Sequence, residues 1–232
     1  MAKFIPLSNY KSFSEDEMIN KSENFNKLMQ VRRTVREFST KSFSEEIIKN
    51  CIHSASSAPS GANKQPWHFV IVKDSRIKQQ IRTEAEKEER EFYNQKAPNE
   101  WLKDLEPFET NESKPFLQEA PYLIAIFEEK YSIDEKEKIR LHKNHFAETG
   151  KSKNYYVKES VGIATGILIT ALHKCGLVSL THTPSPMNFL NKILQRPKNE
   201  KPFLLLVVGY PKEGTLVPNI ERKSFDEIAT IL

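Results

Sequence analysis

Four apolar runs stand out along the chain and predict buried β-strands. Each is rich in β-branched or aromatic residues and is bounded by proline, glycine or charged residues, which is typical of strands packed on both faces. They span residues 68–72, 121–127, 177–184 and 203–211. The pattern therefore predicts a central sheet.

Apolar residues at helical spacing predict helices between these strands. The spacing predicts a short helix at residues 25–29, a helix after the acidic N-cap segment 42–46, and a short helix at 188–194. Residues 1–22 are polar, and we expect them to be irregular. The most regular helix spans Glu159 to Cys175 and is closed by Gly176.

This last helix is apolar nearly all round, so most of its faces must be buried. Gly162 and Gly166 stand one turn apart on it and would let another backbone come close. A chain of this size has few elements to enclose it, so we expect a second subunit to cover part of it in a two-fold homodimer. The alternative is a central helix within a monomer.

The most charged stretch, residues 76–93, predicts an exposed and loosely held helix. Glu89 and Tyr93 are four residues apart and would share a face of that helix, where a carboxylate beside a phenol can receive an ammonium group. Periodicity alone equally fits a solvated surface helix. With the weakly anchored segment 101–108, residues 80–115 read as a lid that is not fully ordered without a ligand.

A loop of small residues joins the first predicted helix–strand pair, from Ala58 to Trp67. Gly61 and Ala62 lack bulk and let backbone N–H groups approach a flat or anionic ligand, while Pro66 and Trp67 stiffen the exit. The same loop also fits an ordinary helix-to-strand connection.

Arginines follow the first predicted helix. In an extended segment Arg32, Thr34 and Arg36 share one face, and their guanidinium groups suit a phosphate or a heterocycle edge. A solvated basic strip is the alternative. The predicted strand at 177–184 ends in Thr181, His182 and Thr183, hydrogen-bonding groups at a strand end where ligands are commonly met.

Composition narrows the class of protein. The 232 residues suit one large domain or two small ones, and the net charge of +4, from 35 basic and 31 acidic residues spread along the chain, does not form a nucleic-acid footprint. Cys51 and Cys175 lie in apolar helical patterns, so we expect two buried thiols and a reducing compartment. No run is long or apolar enough for a signal peptide or membrane helix, so we expect a soluble, cytoplasmic protein. His142 and His145 lack a nearby third ligand, and no metal site is predicted.

The order of these motifs identifies a family. The arginine segment, the 58–67 loop, the glycine-containing helix and the strand ending at Pro211 resemble the FMN-dependent nitroreductase superfamily from about residue 25 to the end, which leaves 1–24 as an N-terminal extension. The resemblance implies an α+β fold, a mixed sheet flanked by helices, and an intertwined homodimer with two FMN sites at the interface.

Within that superfamily the lid resembles the iodotyrosine deiodinases, flavoenzymes that remove iodide reductively from iodotyrosines. The matching residues are Glu89, Tyr93, the segment 101–105 and Lys114. The resemblance implies that Glu89 and Tyr93 hold the ammonium end of a halotyrosine and that Lys114 holds its carboxylate. A zwitterion needs both signs of charge, and the lid supplies both.

The resemblance also assigns the flavin site. It implies that FMN is contacted by residues of the arginine segment, the loop and the tail, namely Arg32, Arg33, Thr34, Val35, Arg36, Ser60 and Arg222. Thr181, His182 and Thr183 would line the isoalloxazine, with the hydroxyl of Thr183 near flavin N5 as the catalytic group for one-electron steps. The backbone N–H of Ala62 would bind the substrate phenolate.

The leading hypothesis is therefore a reductive dehalogenase of halotyrosines that receives electrons from NAD(P)H, directly or through a reductase. A general NAD(P)H-dependent nitroreductase or quinone reductase is the first alternative. A non-catalytic FMN- or halophenol-binding protein is the second. No nucleic-acid or membrane partner is expected.

Overall fold

The computed structural model of the protein describes residues 4–133 and 151–232. The chain forms two compact units, one ending at Arg32 and the other beginning at Arg33. The boundary between the N-terminal extension and the domain was predicted at residues 24–25. His142 and His145 lie outside the described residues. Within the described residues, none of the helices has the length and apolar character needed to cross a membrane.

The first unit contains helix α1, Glu15–Gln30. Its start is fixed by a capping box, in which the Ser14 side chain accepts from the Glu17 N–H and the Glu17 carboxylate accepts from the Ser14 N–H at 3.0 Å. The expectation of an irregular segment followed by a short helix at 25–29 was wrong. The helix begins ten residues earlier than its apolar spacing indicates because capping and charge, rather than buried apolar residues, define it.

The second unit is built on a four-stranded antiparallel sheet in the order β1–β2–β6–β5. The strands are β1 Trp67–Val72, β2 Tyr122–Glu129, β5 Val178–His182 and β6 Glu200–Gly209. A separate two-stranded pair joins β3 Tyr131–Ile133 to β4 Lys151–Lys153. An isolated parallel bridge between Thr34 and Ser179 adds the arginine segment beside β5. The predicted strands and the α+β class with a helix-flanked sheet are confirmed.

Side chains of β2 alternate between the two faces of the sheet. Ile124 and Ile126 join the cluster formed with α2 (Glu45–Ala55) and α6 (Val157–Lys174). Ala125 and Phe127 join the cluster on the other face, with α3 (Ser75–Glu91), α5 (Phe116–Glu119) and α7 (Phe189–Ile193). The sheet therefore has one helical layer on each face.

Helix α6 confirms the predicted long apolar helix, and a single chain buries one side of it. One side is fully buried, for example at Val161 and Leu168, whereas Gly162, Ile163 and Gly166 are exposed. A Cβ added at either glycine would meet nothing within 4 Å. The helix ends as predicted at Gly176, which has a positive φ of 78°.

The two cysteines have different environments. Cys51 lies in α2 and is buried, whereas Cys175 caps the end of α6 and is exposed, and both are free thiols. The expectation that both thiols are buried was wrong for Cys175, because the helix ends at that residue and the chain turns outward through Gly176.

The charged helix α3 is held more firmly than its composition indicates. Ile81 and Ala85 are fully buried, and the ammonium of the buried Lys78 donates to the carbonyl oxygens of Gln118 at 3.0 Å and Ala120 at 2.7 Å. The expectation of a loosely held helix was therefore wrong, because a narrow buried stripe and one buried cation anchor it.

The chain continues from α3 through a π-helical turn at Phe92–Lys96, helix α4 at Asn99–Leu105 and a 3-10 turn at Glu106–Phe108 to α5. We call residues 75–119, from α3 to α5, the cover. A final short helix, α8, spans Phe225–Ile228.

Candidate active site

A cavity of about 490 Å³ lies between the cover and the end of β5. Its walls combine charged groups of the cover with aromatic rings and with the hydroxyls and imidazole at the strand end. The lining includes Arg36, Glu88, Glu89, Phe92, Tyr93, Trp101, Leu105, Thr110, Lys114, Phe116, Thr181, His182 and Thr183. Such a mixture of apolar walls and a few convergent polar groups is typical of a small-molecule site.

An ion pair between Glu89 and Lys114 stands in this cavity wall. The carboxylate and the ammonium are 3.2 Å apart, and their side chains are 14% and 7% exposed. The ammonium also donates to the backbone carbonyl of Asn111 and to the Thr110 hydroxyl at 3.4 Å, and it lies 5.5 Å from the centre of the Tyr93 ring. The Lys114 cation is thus almost fully enclosed by polar and aromatic partners.

Tyr93 forms the adjoining part of the wall. Its hydroxyl is 2.6 Å from the Thr110 hydroxyl, and its ring packs edge-on against Phe92. Burial, more than any other influence, raises the pKa of Tyr93, so the phenol is neutral at physiological pH. Phe92 in turn packs edge-on against Trp101 at 5.0 Å, which ties the π-helical turn to α4.

The loop that carries Lys114 is attached to α3 by a second carboxylate. Glu86 accepts a hydrogen bond from the Lys114 backbone N–H at 2.8 Å. It also forms an ion pair with Arg82, one helical turn earlier, at 2.8 Å. Glu86 and Glu89 therefore fix both the backbone and the side chain of Lys114. The helix α3 and the lysine loop form one structural unit.

The opposite wall is the end of β5. Thr181 and Thr183 are exposed, while His182 between them is buried and packs edge-on against Phe116 at 5.5 Å. The His182 Nε2 has no hydrogen-bond partner among the described residues. Burial, reinforced by the nearby Lys114 charge, lowers the pKa of His182 to about 3, so the imidazole is neutral.

Seven of the fourteen predicted site residues line this cavity: Arg36, Glu89, Tyr93, Lys114, Thr181, His182 and Thr183. Arg36 lies over the Phe108 ring at 5.6 Å, and burial is the main cause that lowers the pKa of its guanidinium. The structure therefore joins the predicted zwitterion-binding residues to the predicted flavin-facing strand end.

Residues of the arginine segment near Arg36 have other environments. Arg33 donates to the carbonyl of Pro218, and Thr34 forms the bridge to Ser179. Val35 is 4% exposed and belongs to the buried core. Arg32 lies in the first unit, where its backbone N–H donates to Met29 at 3.2 Å at the end of α1.

The remaining predicted residues lie in the 58–67 loop and the tail. The Ser60 hydroxyl accepts from the Gln65 N–H at 2.9 Å. Ala62 has a left-handed φ of 51° in the turn Gly61–Asn63, and Arg222 is exposed before α8.

Sequence reasoning did not find Thr110 and Phe116, which position the groups that it did find. Thr110 contacts both Tyr93 and Lys114, and Phe116 packs on His182. Their closeness to Lys114 in the sequence was a usable signal, because residues within one turn of a candidate ligand-binding lysine shape its surroundings.

The residues fit an FMN group at the strand-end wall. The orphaned Nε2 of His182, the exposed hydroxyls of Thr181 and Thr183 and the guanidinium of Arg36 are the donor and acceptor types that a flavin ring edge requires. These four groups lie in one cavity with aromatic walls.

A cluster of possible metal ligands in the described residues suits a metal ion less well than the cavity suits FMN. Ligand atoms of His68, Glu129 and Glu200 lie within 4.8 Å of one another. The Glu200 carboxylate, however, is engaged by both ends of the Arg196 guanidinium, at 2.7 and 2.6 Å. A cation would have to compete with that guanidinium.

Comparison with known sequences identifies relatives over nearly the whole chain. The model of the nitroreductase family matches residues 29–210. An iodotyrosine deiodinase of Haliscomenobacter hydrossis is 54% identical over 220 residues, which cover 95% of this chain and 93% of that protein. Iodotyrosine deiodinase 1 of Homo sapiens is 40% identical over 226 residues, covering 97% of this chain and 73% of that protein.

Solved structures agree with this result. An oxidized iodotyrosine deiodinase bound to FMN and 3-iodo-L-tyrosine matches with a TM-score of 0.72 and 31% identity, over 89% of this chain and all (100%) of that chain. A BluB-like flavoprotein from Clostridium difficile 630 matches with a TM-score of 0.62 at 21% identity, over 89% and 98% of the two chains. The second likeness shows a shared fold.

Proposed function

The chain belongs to the nitroreductase family, and from this premise we propose that it is an FMN-dependent enzyme that dehalogenates halotyrosines reductively. The observation that carries the proposal is the enclosed Glu89–Lys114 ion pair, which faces the Thr181–Thr183 strand end across one cavity. The 54% identity with an iodotyrosine deiodinase over 95% of the chain supports it. In the reaction the carbon–halogen bond is replaced by a carbon–hydrogen bond, which consumes two electrons and one proton and releases halide.

The ion pair favours a zwitterionic substrate. Its two side chains are mostly buried, so a ligand that engages one of them must also supply a partner for the other. A free α-amino acid does so, because its ammonium replaces Lys114 beside Glu89 and its carboxylate replaces Glu89 beside Lys114. Tyr93 lies next to the ammonium of Lys114 and is positioned to contact the incoming ammonium as well.

Aromatic and backbone groups serve the other end of the substrate. Phe92 and Trp101 supply apolar walls for the substrate ring. We assign the substrate phenolate to the backbone N–H of Ala62, whose left-handed conformation belongs to a loop of small residues. A phenolate held by an N–H donor is stabilised in its charged form.

FMN, when bound, supplies the electrons. Thr181, His182 and Thr183 would line its ring, and the Thr183 hydroxyl would donate a hydrogen bond to its reactive nitrogen. The phosphate and pyrimidine ends are assigned to the arginine segment, the loop and the tail, with Arg32, Arg33, Thr34, Val35, Arg36, Ser60 and Arg222 as contacts. Several guanidinium groups in one short segment suit a phosphate and a polar ring edge.

The site is shared between two copies of the chain in this proposal. The exposed side of α6, with Ile163 46% exposed between Gly162 and Gly166, offers an apolar and close-packing surface to a second α6. Static light scattering is expected to give twice the mass of one chain. A mass of one chain would contradict the homodimer.

The electron source is NAD(P)H, directly or through a reductase, and the protein acts in the cytoplasm. Anaerobic mixing with NADPH separates the two routes. Slow bleaching of the flavin absorbance by NADPH alone, and fast bleaching with a reductase present, is the expected result. Fast direct bleaching would favour a general nitroreductase or quinone reductase.

The decisive experiment measures iodide release from 3-iodotyrosine by FMN-loaded protein reduced anaerobically with dithionite. The parent is compared with Lys114→Ala and with Lys103→Ala, an exposed lysine of the same cover. We expect release by the parent and Lys103→Ala, and a loss of about 100-fold in kcat/KM for Lys114→Ala, because the substrate carboxylate is then left without its cation.

Two results would overturn the proposal. Equal reduction of a nitroaromatic by all three proteins, with no iodide released, would leave a general nitroreductase. Tight halotyrosine binding without turnover under any reductant would leave a non-catalytic FMN- or halophenol-binding protein.

A further inference from the structure

Two carboxylates of α3 contact the same lysine from one face of the helix. Glu86 and Glu89 are three residues apart, which makes them neighbours on that face. The Glu89 carboxylate is 3.2 Å from the Lys114 ammonium, and the Glu86 carboxylate accepts the Lys114 backbone N–H at 2.8 Å. Glu89 lines the cavity and Glu86 does not. One carboxylate therefore meets the charged end of the lysine, and the other holds its backbone.

The Glu86 carboxylate is itself held in one orientation. Its Oε1 also accepts from the Arg82 Nε at 2.8 Å, and the same guanidinium donates to the Gln118 side-chain oxygen at 3.2 Å. Burial would raise the pKa of Glu86, but the hydrogen bond from the Lys114 N–H and the Arg82 guanidinium outweigh it and lower this pKa. Glu86 is therefore ionised at neutral pH, and its bond to the Lys114 N–H is charge-assisted.

The backbone of Lys114 is also restrained by the helix that follows it. Its carbonyl oxygen accepts from the Leu117 N–H at 3.1 Å, in the first turn of α5. Pro115 comes next, and the residue before a proline favours extended backbone. The Glu86 bond links this restrained backbone to α3, so the position of the Lys114 ammonium relative to Glu89 depends on it.

We propose that Glu86 is a positioning residue for halotyrosine binding, which keeps the Lys114 ammonium in place after the substrate has taken Glu89. The inference rests on the proposed function. In the free protein both the side chain and the backbone of Lys114 are tied to α3. When the substrate ammonium occupies Glu89, the side-chain tie is lost and the backbone tie to Glu86 remains. Lys114 then stays close to Glu89, as an amino acid requires, because its ammonium and carboxylate are attached to the same carbon.

Loss of the Glu86 tie should affect ligands that carry a carboxylate and no others. A lysine side chain has many rotamers, so the substrate itself would have to order Lys114 once its backbone is released. We expect Glu86→Ala to raise Kd and KM for 3-iodotyrosine about tenfold. The kcat at saturating substrate should stay within about threefold of the parent, because the strand end at Thr181–Thr183 is unchanged.

The test measures binding of 3-iodotyrosine and of 2-iodophenol, which has neither an ammonium nor a carboxylate, to the FMN-loaded protein by isothermal titration calorimetry. The parent is compared with Glu86→Ala, Glu86→Gln and Glu100→Ala, a change at an exposed carboxylate of the same cover. Glu86→Ala should lose about tenfold in affinity for 3-iodotyrosine and bind 2-iodophenol like the parent. Glu86→Gln keeps an acceptor oxygen for the Lys114 N–H and should recover most of the loss. Glu100→Ala should bind both ligands like the parent.

A double variant shows whether Glu86 acts through Lys114. Adding Glu86→Ala to Lys114→Ala should cause no further loss of affinity for 3-iodotyrosine, since the ammonium that Glu86 positions is already gone. Hydrogen exchange at the Lys114 amide, followed by NMR, gives a measurement on the parent alone. We expect this amide to exchange as slowly as the amides in the middle of α3.

The outcomes separate this inference from the proposed function. If the parent does not bind 3-iodotyrosine, both are overturned. If Lys114→Ala weakens 3-iodotyrosine binding but Glu86→Ala does not, or if Glu86→Ala weakens both ligands equally, the positioning role alone is overturned. Fast exchange of the Lys114 amide in the parent would also overturn it, and this result stands even where a variant does not fold.

Discussion

The sheet and the cover are held together by different forces. In β2, seven successive residues from Tyr122 to Glu128 are buried, and six of these seven are apolar. In the cover the buried groups include the cations Lys78 and Lys114, each satisfied by carbonyl or carboxylate oxygens. A small polar ligand cannot take the place of packed apolar side chains, but it can take the place of one partner in an ion pair. The difference teaches that the sheet supplies stability and the cover supplies replaceable interactions.

The largest effect should come from emptying the sheet core. Phe127→Ala removes a fully buried ring from β2, and we expect a loss of about 3–5 kcal/mol in the free energy of unfolding because a cavity replaces it. Urea denaturation measures this. Phe225→Ala, at a ring that is 61% exposed, is the matched control and should change little. Equal losses in both variants would remove the contrast.

The next largest effect should come from removing one partner of the ion pair in the cover. Lys114→Met leaves the Glu89 carboxylate unpaired, and we expect local opening of the cover to become about 3 kcal/mol easier. Hydrogen exchange in α3 and in residues 110–114 reports this opening, while β2 should keep its protection.

The double variant Glu89→Gln/Lys114→Met sharpens this test. Removing both charges should restore most of the protection, because neither charge is left buried alone. Additive losses would show that the pair contributes through packing rather than through charge.

His182 lies between the two regions and should make the folded protein less stable in acid. Its folded pKa is lowered to about 3 from 6.5, mainly by burial. Below pH 6.5 the unfolded chain binds a proton that the folded chain does not, so stability falls with pH until about pH 3. Relative to neutral pH, this contributes about 2 kcal/mol of lost stability by pH 5.

Replacing the imidazole isolates this contribution from that of other titrating groups. His182→Gln should lose less stability than the parent between pH 7 and pH 5, in parallel urea titrations. Identical pH dependence in the two proteins would mean that His182 is protonated without cost.

The smallest effect should come from one hydroxyl. Tyr93→Phe keeps the ring that packs on Phe92 but removes the 2.6 Å contact with Thr110, and we expect local protection of the cover to fall by about 1 kcal/mol. Hydrogen exchange at residues 108–114 measures it. A loss as large as that of Lys114→Met would mean that hydroxyl contacts, rather than charges, hold the cover.

The spacing and composition of the apolar residues were sufficient to predict the sheet. The strands, α2 and α6 follow from runs and stripes of apolar residues because burial requires them. The start of α1 did not follow, since Ser14 and Glu17 define it through hydrogen bonds rather than apolar spacing. Anchoring of α3 was also missed, because Lys78 finds its carbonyl partners about 40 residues further along the chain, at separations of 40 and 42.

The candidate site was predictable where its groups are close in sequence. Glu89 and Tyr93 are four residues apart, and the predicted i, i+4 pairing brought both to the cavity, although Tyr93 lies in a π-helical turn. Contacts between distant segments were not predictable, such as that between Arg33 and Pro218, which are 185 residues apart. The orphaned His182 nitrogen likewise depends on packing that no local pattern encodes.

The Glu89–Lys114 pair also bears on ionic strength. A zwitterion that takes both places brings no net charge, and the pair it separates had none, so binding leaves the local charge unchanged. Exposed charge pairs lose attraction as salt shortens the Debye length from about 10 Å at 0.1 M to about 3 Å at 1 M, but enclosed pairs are screened much less. Halotyrosine affinity should therefore be nearly constant across that range of salt, whereas an analogue that carries only the carboxylate should bind more weakly as salt increases.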